Sequence, residues 1–159
     1  MTPPVAVRAA TEEDAPLLRA MLFEAAAWRP DRPRPDDEET PATPAVARYI
    51  DDWPRNGDAG VVAAAVGAAW YRRFTADAPG YGFVAAHIPE VTIGVVAGAR
   101  GRGIGGALLR ALADAARADD LEALSLSVEE DNPALRLYER AGFERVALVT
   151  NAWTMRLTL

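Results

Sequence analysis

The spacing of apolar residues changes along the chain, and each change marks an element. Val91 to Ala97 is a compact apolar run of strand length and reads as a buried strand. Ile104, Ala107, Leu108, Ala111, Leu112 and Ala115 then recur at i, i+3, i+4, i+7, i+8 and i+11, which predicts an amphipathic helix. Between the two, Gly98 to Gly106 form a glycine-rich turn. Upstream, Val5 to Arg8 reads as a short first strand. Leu17, Leu18, Met21, Leu22 and Ala25 share one face of a helix that Thr11 or Asp14 can cap, with Pro16 tolerated in its first turn. Val46, Tyr49, Ile50 and Trp53 predict a second helix, begun by Thr43-Pro44 and closed by Asn56-Gly57. Gly60 to Ala65 and Ala68 to Phe74 predict an antiparallel pair turning at Gly67, and Phe83 to Ala86 fits a strand or a loop equally.

Downstream, Leu124 to Val128 reads as a strand, and Asn132-Pro133 opens a short helix that Gly142 closes. Arg145 to Val149 and Trp153 to Leu159 follow as strands, the second alternating apolar and polar so that one face is buried. The pattern stops only from Trp28 to Pro44. Pro30, Pro33, Pro35 and Pro41 alternate there with Asp31, Asp36, Asp37, Glu38 and Glu39, which reads as a loop. No repeat and no second hydrophobic unit emerges, so residues 1–159 are expected to form one α/β (α+β) domain on a central mixed sheet.

Composition narrows the chemistry. The chain of 159 residues has no cysteine and one histidine, His87, which removes disulfides, thiolate chemistry and histidine-rich metal sites. No metal is expected. Every basic residue is arginine, so no lysine Schiff base or P-loop lysine exists. The net charge of −6 argues against a nucleic-acid partner and suits a cationic acceptor. No apolar run reaches the roughly 18 residues of a membrane span, and the N-terminus lacks a secretory pattern. A cytoplasmic protein without a membrane partner is the expectation.

The strongest chemical signal is the strand–glycine loop–helix unit. The first-turn N–H groups of a helix have no acceptor within it, and the dipole places positive potential there. A phosphate answers both needs. Gly101, Gly103, Gly105 and Gly106 let backbone approach its oxygens, and Arg100 and Arg102 add cationic donors. Gly101-x-Gly103-x-x-Gly106 also fits the dinucleotide fingerprint, with Asp119, Asp120 or Glu122 downstream as ribose partners. That motif belongs on the first strand of a repeated βαβ sheet, whereas here it follows an antiparallel region.

Read instead as Arg100-x-x-Gly103-x-Gly105-Gly106, the loop resembles the pyrophosphate loop of the GNAT family of N-acetyltransferases. A second stretch, Asn132-Pro133-Ala134-Leu135-Arg136-Leu137-Tyr138-Glu139-Arg140-Ala141-Gly142-Phe143, resembles the family's helix beside the cofactor thiol. Ala97-Gly98-Ala99 departs from the bulkier residues common before the arginine.

The resemblance implies acetyl-coenzyme A as co-substrate and a sheet of six to seven strands flanked by about four helices. It implies backbone pairing of the pantetheine arm by Val95, Val96 and Ala97, with one N–H polarising the acetyl carbonyl. Arg100, Gly101, Arg102, Gly103, Ile104, Gly105 and Gly106 would take the pyrophosphate, and Asn132 would touch the cofactor. Tyr138 holds the position of the family's acid, and Glu90 a position where some members place the base. The reaction implied is direct acetyl transfer to a primary amine of a small molecule. The alternatives are a catalytically silent acyl-coenzyme A sensor and a dinucleotide oxidoreductase. A homodimer through sheet edges or C-terminal strands is compatible with the resemblance.

His87, Glu129 and Glu130 are further titratable candidates near the same elements. Trp28, Tyr49, Trp53, Trp70, Tyr71 and Phe74 could bracket an acceptor or pack the core, and Asp36 to Glu39 could attract an amine.

Overall fold

The computed structural model describes residues 5–28 and 44–159. The proline-rich acidic segment and the cap expected at Thr43 lie outside them. The chain runs β1 (Arg8–Ala9), α1 (Ala15–Ala26), α2 (Pro44–Ala47), β2 (Ala59–Ala63), β3 (Gly67–Arg72) and β4 (Glu90–Val95). It continues through α3 (Ile104–Ala118), β5 (Ala123–Glu129), α4 (Ala134–Arg140), β6 (Glu144–Val149) and β7 (Ala152–Thr158). The strands form one seven-stranded sheet in the order β1-β2-β3-β4-β5-β7-β6. Every neighbouring pair is antiparallel except β4 and β5. The glycine loop thus follows the fourth strand of a mostly antiparallel sheet, which leaves the dinucleotide fingerprint without the βαβ frame it needs. Among the described residues no helix is long and apolar enough to cross a membrane.

Four boundaries differ from the sequence reading. The first strand begins at Arg8 rather than Val5 and pairs with Val61 and Val62. The second helix stops at Ala47. The carbonyls of Arg48 and Asp51 accept bonds from the buried Arg72 guanidinium, which fastens this segment as turns rather than as a longer helix. The hairpin turns at 64–66, with Ala64 at φ +48°, and Gly67 already belongs to β3. A Cβ at Gly67 would stand 3.1 Å from Leu108 and 3.2 Å from Ile104, so the small residue lets α3 lie close. Phe83 to Ala86 forms no strand, and β3 ends at Arg72, short of Phe74.

Strand alternation separates two cores, one on each face of the sheet. Val61, Ala69, Tyr71, Val91, Leu124, Leu126 and Met155 pack with Leu108 and Leu112 of α3 and Tyr138 of α4. Val62, Ala68 and Trp70 point the other way, onto Leu18, Met21 and Leu22 of α1 and onto Tyr49 and Ile50. Leu18, Trp70, Leu108 and Leu112 are fully buried. Burial of such side chains contributes about 1.5–3 kcal/mol each. α1 crosses β4 at Gly94, where a Cβ would sit 2.1 Å from the Met21 carbonyl oxygen. Only glycine permits that crossing.

The sheet is split at its centre. β4 and β5 share a single registered pair, Glu90 with Ser125, supported by Ser125 N–H donating to the Pro89 carbonyl at 2.9 Å. Residues 91–95 and 126–129 then run on without a common ladder. The register fixes which backbone groups face this seam. Val96 N–H donates to the Val66 carbonyl, so 66 and 96 are a bonded pair across β3 and β4, as are 68 and 94 by alternation. Ile93 and Val95 therefore turn their backbone polar groups away from β3, toward the open seam.

Candidate active site

Two devices sit at opposite ends of that seam. At the upper end, residues 97–99 form a single 3-10 turn after β4, and α3 begins at Ile104. Gly101 and Gly103 hold φ of +77° and +83°, a left-handed conformation that costs other residues about 1–2 kcal/mol. Nothing stands within 4 Å of where their Cβ atoms would be, so the loop presents bare backbone to open space. The first in-helix bond of α3 is Ala107 N–H to the Gly103 carbonyl at 3.1 Å. The N–H groups of Ile104, Gly105 and Gly106 precede it and have no acceptor inside the helix. Such a loop forms a candidate anion cradle.

The other two glycines serve packing instead. A Cβ on Gly105 would lie 2.9 Å from Leu137 Cδ2, so its bareness seats α4 against α3. Gly106 faces Arg110 Nη1, 3.4 Å from its own would-be Cβ. Arg110, not singled out from sequence, thus brings a guanidinium back to the start of α3. Its signal was the i+4 spacing, because helical side chains lean back toward the N-terminus.

Arg100 and Arg102 differ in role. Arg100 Nε donates to the Val95 carbonyl at 3.0 Å, and its Nη2 reaches Glu24 Oε2 of α1 at 3.4 Å. That guanidinium straps the loop to β4 and α1 rather than projecting into the cradle, whereas Arg102 is exposed at its rim. Of the three residues expected to offer backbone to a cofactor arm, Val95 faces the seam. Val96 has already committed its N–H to Val66, and Ala97 lies in the 3-10 turn. Ile93, not singled out from sequence, faces the seam with Val95. Asn132 Oδ1 accepts the Ala134 N–H at 2.9 Å, so its carboxamide caps the first turn of α4.

At the lower end stands Glu90, the residue that closes the seam with Ser125. It is 3% exposed, not the surface glutamate its place at a strand start would suggest. Glu90 Oε1 accepts from the Tyr49 hydroxyl at 2.6 Å and from Gly82 N–H at 2.8 Å, while Oε2 is buried without a partner. Gly80 makes room for it, since a Cβ there would collide with Oε2. Burial raises the Glu90 pKa, offset in part by the bonds from Tyr49 and Gly82 and by the Arg48 charge. Ser125, its directly paired neighbour and therefore on the same face, also carries a buried hydroxyl without a partner. The two form a polar foot to the seam.

Tyr138 approaches from the other face of the sheet. It packs edge-on to Phe143 at 6.0 Å within the α3 and α4 core. Burial alone raises its hydroxyl pKa, with no charge or hydrogen bond contributing, so it stays protonated at neutral pH. Acid and base candidates thus lie on opposite faces of the sheet.

The aromatic residues divide. Trp70 and Tyr71 are core, bonded to the Tyr49 carbonyl and to Asp119 respectively. Trp53 Nε1 donates to the Thr11 carbonyl. Tyr49 and Phe74 stay beside Glu90 and are joined by Tyr81, which stacks on Tyr49 at 6.4 Å and is 59% exposed. His87 is not gathered into this corner: its Nε2 lies 2.5 Å from Glu122 on the exposed surface.

Comparison with known proteins places this geometry. The profile of the Acetyltransferase (GNAT) family matches residues 17–143. None of the curated proteins matches the chain significantly. Among solved structures, the ribosomal-protein-alanine N-acetyltransferase from Brucella melitensis superposes with a TM-score of 0.68 at 27% identity, over 98% of this chain and 100% of its own. The PaiA N-acetyltransferase from Thermoplasma acidophilum, in complex with coenzyme A, gives 0.66 at 14% identity over 98% and 99%. The GNAT domain of S. lividans PAT gives 0.66 at 20% identity over 96% and 89%. The last two likenesses are of fold alone.

Proposed function

The chain belongs to the acetyltransferase (GNAT) family, and from that premise we propose that it moves an acetyl group from acetyl-coenzyme A to a primary amine of a small molecule, by direct attack in a ternary complex. The observation that carries this reading is the split between β4 and β5, with bare backbone and an anion cradle at one end and a buried carboxylate at the other.

The residues fit the carrier. Ile104, Gly105 and Gly106 N–H groups, with Gly101 and Gly103 leaving space before them, suit a diphosphate. Arg102 and Arg110 supply charge at its rim. Ile93 and Val95 offer edge backbone to an extended arm, as a sheet edge does to an added strand. One of their N–H groups would polarise the acetyl carbonyl as the amine attacks.

Glu90 takes a proton from the ammonium group of the acceptor, which frees the nitrogen lone pair for attack; its Oε2 and Ser125 Oγ are two buried polar atoms without partners at this end of the seam. Its raised pKa brings it closer to the working pH, which favours a general base. Tyr138 gives a proton to the departing thiolate from the opposite face. The neutral amine nitrogen bonds the acetyl carbon, the carbon–sulfur bond breaks, the thiol leaves with the Tyr138 proton, and the second nitrogen proton is lost to solvent, from which Tyr138 is reprotonated.

The test has two parts. Coenzyme A should raise the melting temperature and NADH should not. Thiol release with a panel of amines should then show turnover. Tyr138→Phe should slow it by about 10² or more while leaving coenzyme A affinity nearly unchanged. Coenzyme A binding without turnover of any amine would instead favour the silent sensor.

A further inference from the structure

Resting on that reading of the seam, the corner around Glu90 also bears on what kind of amine enters. Arg48 lies in the turn after α2, and its guanidinium carbon stands 5.3 Å from the Tyr81 ring centroid, 5.9 Å from that of Tyr49 and 6.0 Å from that of Phe74. Aromatic faces stabilise the cation but accept none of its N–H groups with the geometry of an oxygen acceptor. The Arg48 Nε–H is buried and has no hydrogen-bond partner. Nor does Arg48 form an ion pair with any described residue, although its charge is felt at both Glu90 and Tyr49.

The corner therefore holds two unmet demands of opposite sign: a carboxylate oxygen without a donor and a guanidinium N–H without an acceptor. They do not satisfy each other. Buried polar groups left in this state are costly, and in folded proteins they are rare enough to need an explanation. The main chain keeps them apart. Arg72, itself buried and paired with Asp58 at 2.7 Å, bonds the Arg48 and Asp51 carbonyls and fixes this turn. Tyr49 is in turn held between Glu90 and the Tyr81 N–H.

We propose that Arg48 is the anion-recognising residue of the acceptor site, and that the acceptor is an amino-acid-like zwitterion whose carboxylate meets Arg48 while its ammonium group turns toward Glu90. Arginine suits this task because its planar fork matches a carboxylate bidentately. The faces of Tyr49, Phe74 and Tyr81 hold that fork in one orientation before the acceptor arrives, which lowers the ordering cost of binding. Arg48 is only partly buried, and Tyr81 beside it is exposed.

The experiment compares acceptors that differ only in the carboxylate. Phenylalanine, methionine and leucine are each assayed with acetyl-coenzyme A against their primary amides and their decarboxylated amines. In the parent enzyme kcat/KM for the acids should exceed that for the amides and amines by about 10- to 100-fold, the range of a charge-assisted bond. Arg48→Met, which keeps an apolar stem against the rings, should bring that ratio close to one through KM. Arg48→Lys should retain part of it. Coenzyme A affinity and melting temperature, measured on the same samples, report whether the variants are folded. A parent that turns over amines and amides as well as acids overturns the proposal and leaves the acetyltransferase reading standing. So does an Arg48→Met enzyme that binds coenzyme A and keeps the preference. Failure to acetylate any member of the panel overturns it too, and failure to bind coenzyme A removes the reading on which it rests.

Discussion

At the scale of single residues, the candidate base is a carboxylate the fold holds at a cost. Glu90 is buried with one oxygen unpaired, and burial lifts its pKa above the ordinary carboxylate range. The folded state therefore keeps this proton to higher pH than the unfolded chain does. Stability falls as pH rises from the ordinary range of about 4 through the raised folded value, and stays lowered above it. Glu90→Gln should remove that slope. Glutamine can still accept from Tyr49 and Gly82, yet it buries no charge. At pH 7.5 the variant should melt no lower than the parent, while kcat/KM falls by about 10²–10⁴. A variant that melts lower and keeps its rate would show Glu90 to be structural. Sequence could name Glu90 from its place before the strand. It could not reveal the burial, which is made by Tyr49, 41 residues earlier, and by a loop whose Gly80 and Gly82 approach it. Arg48 was invisible for the same reason: its neighbours are brought together only by the tertiary fold.

At the scale of elements, local patterns were legible where one segment contains its own explanation. β4, the glycine loop and α3 emerged from apolar spacing and glycine placement, because strand, turn and helix adjoin in sequence. α2 did not, since its helical pattern is overridden by the Arg72 guanidinium from β3. Nor was it legible that four closely spaced glycines do two jobs. Gly101 and Gly103 are needed for positive φ and open space, whereas Gly105 and Gly106 face Leu137 and Arg110.

These roles separate by substitution. Gly103→Ala should weaken coenzyme A binding by imposing a left-handed alanine at the start of α3, at about 1–2 kcal/mol of strain. Gly98→Ala, with ordinary backbone and nothing within 4 Å, should change neither affinity nor melting temperature. Gly94→Ala belongs to a different class. Its Cβ would press on backbone of α1, which has no flexible end to yield, so a loss of about 1–3 kcal/mol or more is expected in denaturant unfolding. Equal effects at 94 and 98 would contradict the packing of α1 on β4.

At the scale of the whole molecule, the same split that makes the site also weakens the sheet. β1 to β4 and β5 to β7 are each continuous antiparallel ladders, yet they meet through one registered pair and a shared layer of helices. The strands were legible one by one, but their order was not, since β7 inserts between β5 and β6, and neither was the seam, because no local pattern encodes where two parallel strands stop pairing. A ligand that lies in the seam and in the cradle binds only the folded state and spans its weakest joint. At a concentration 100 times its dissociation constant it should stabilise by about 2.7 kcal/mol, a rise of about 5–10 °C in melting temperature for a chain of this size. That gain should not be uniform. Amide exchange should slow most at Ile93 and Val95, which face the open seam, and at 104–106, which precede the first in-helix bond of α3, and far less in the β5 and β7 ladder, which is already complete. Slowing spread evenly over both halves would mean that the ligand stabilises the fold from elsewhere, and that the seam is not where it lies.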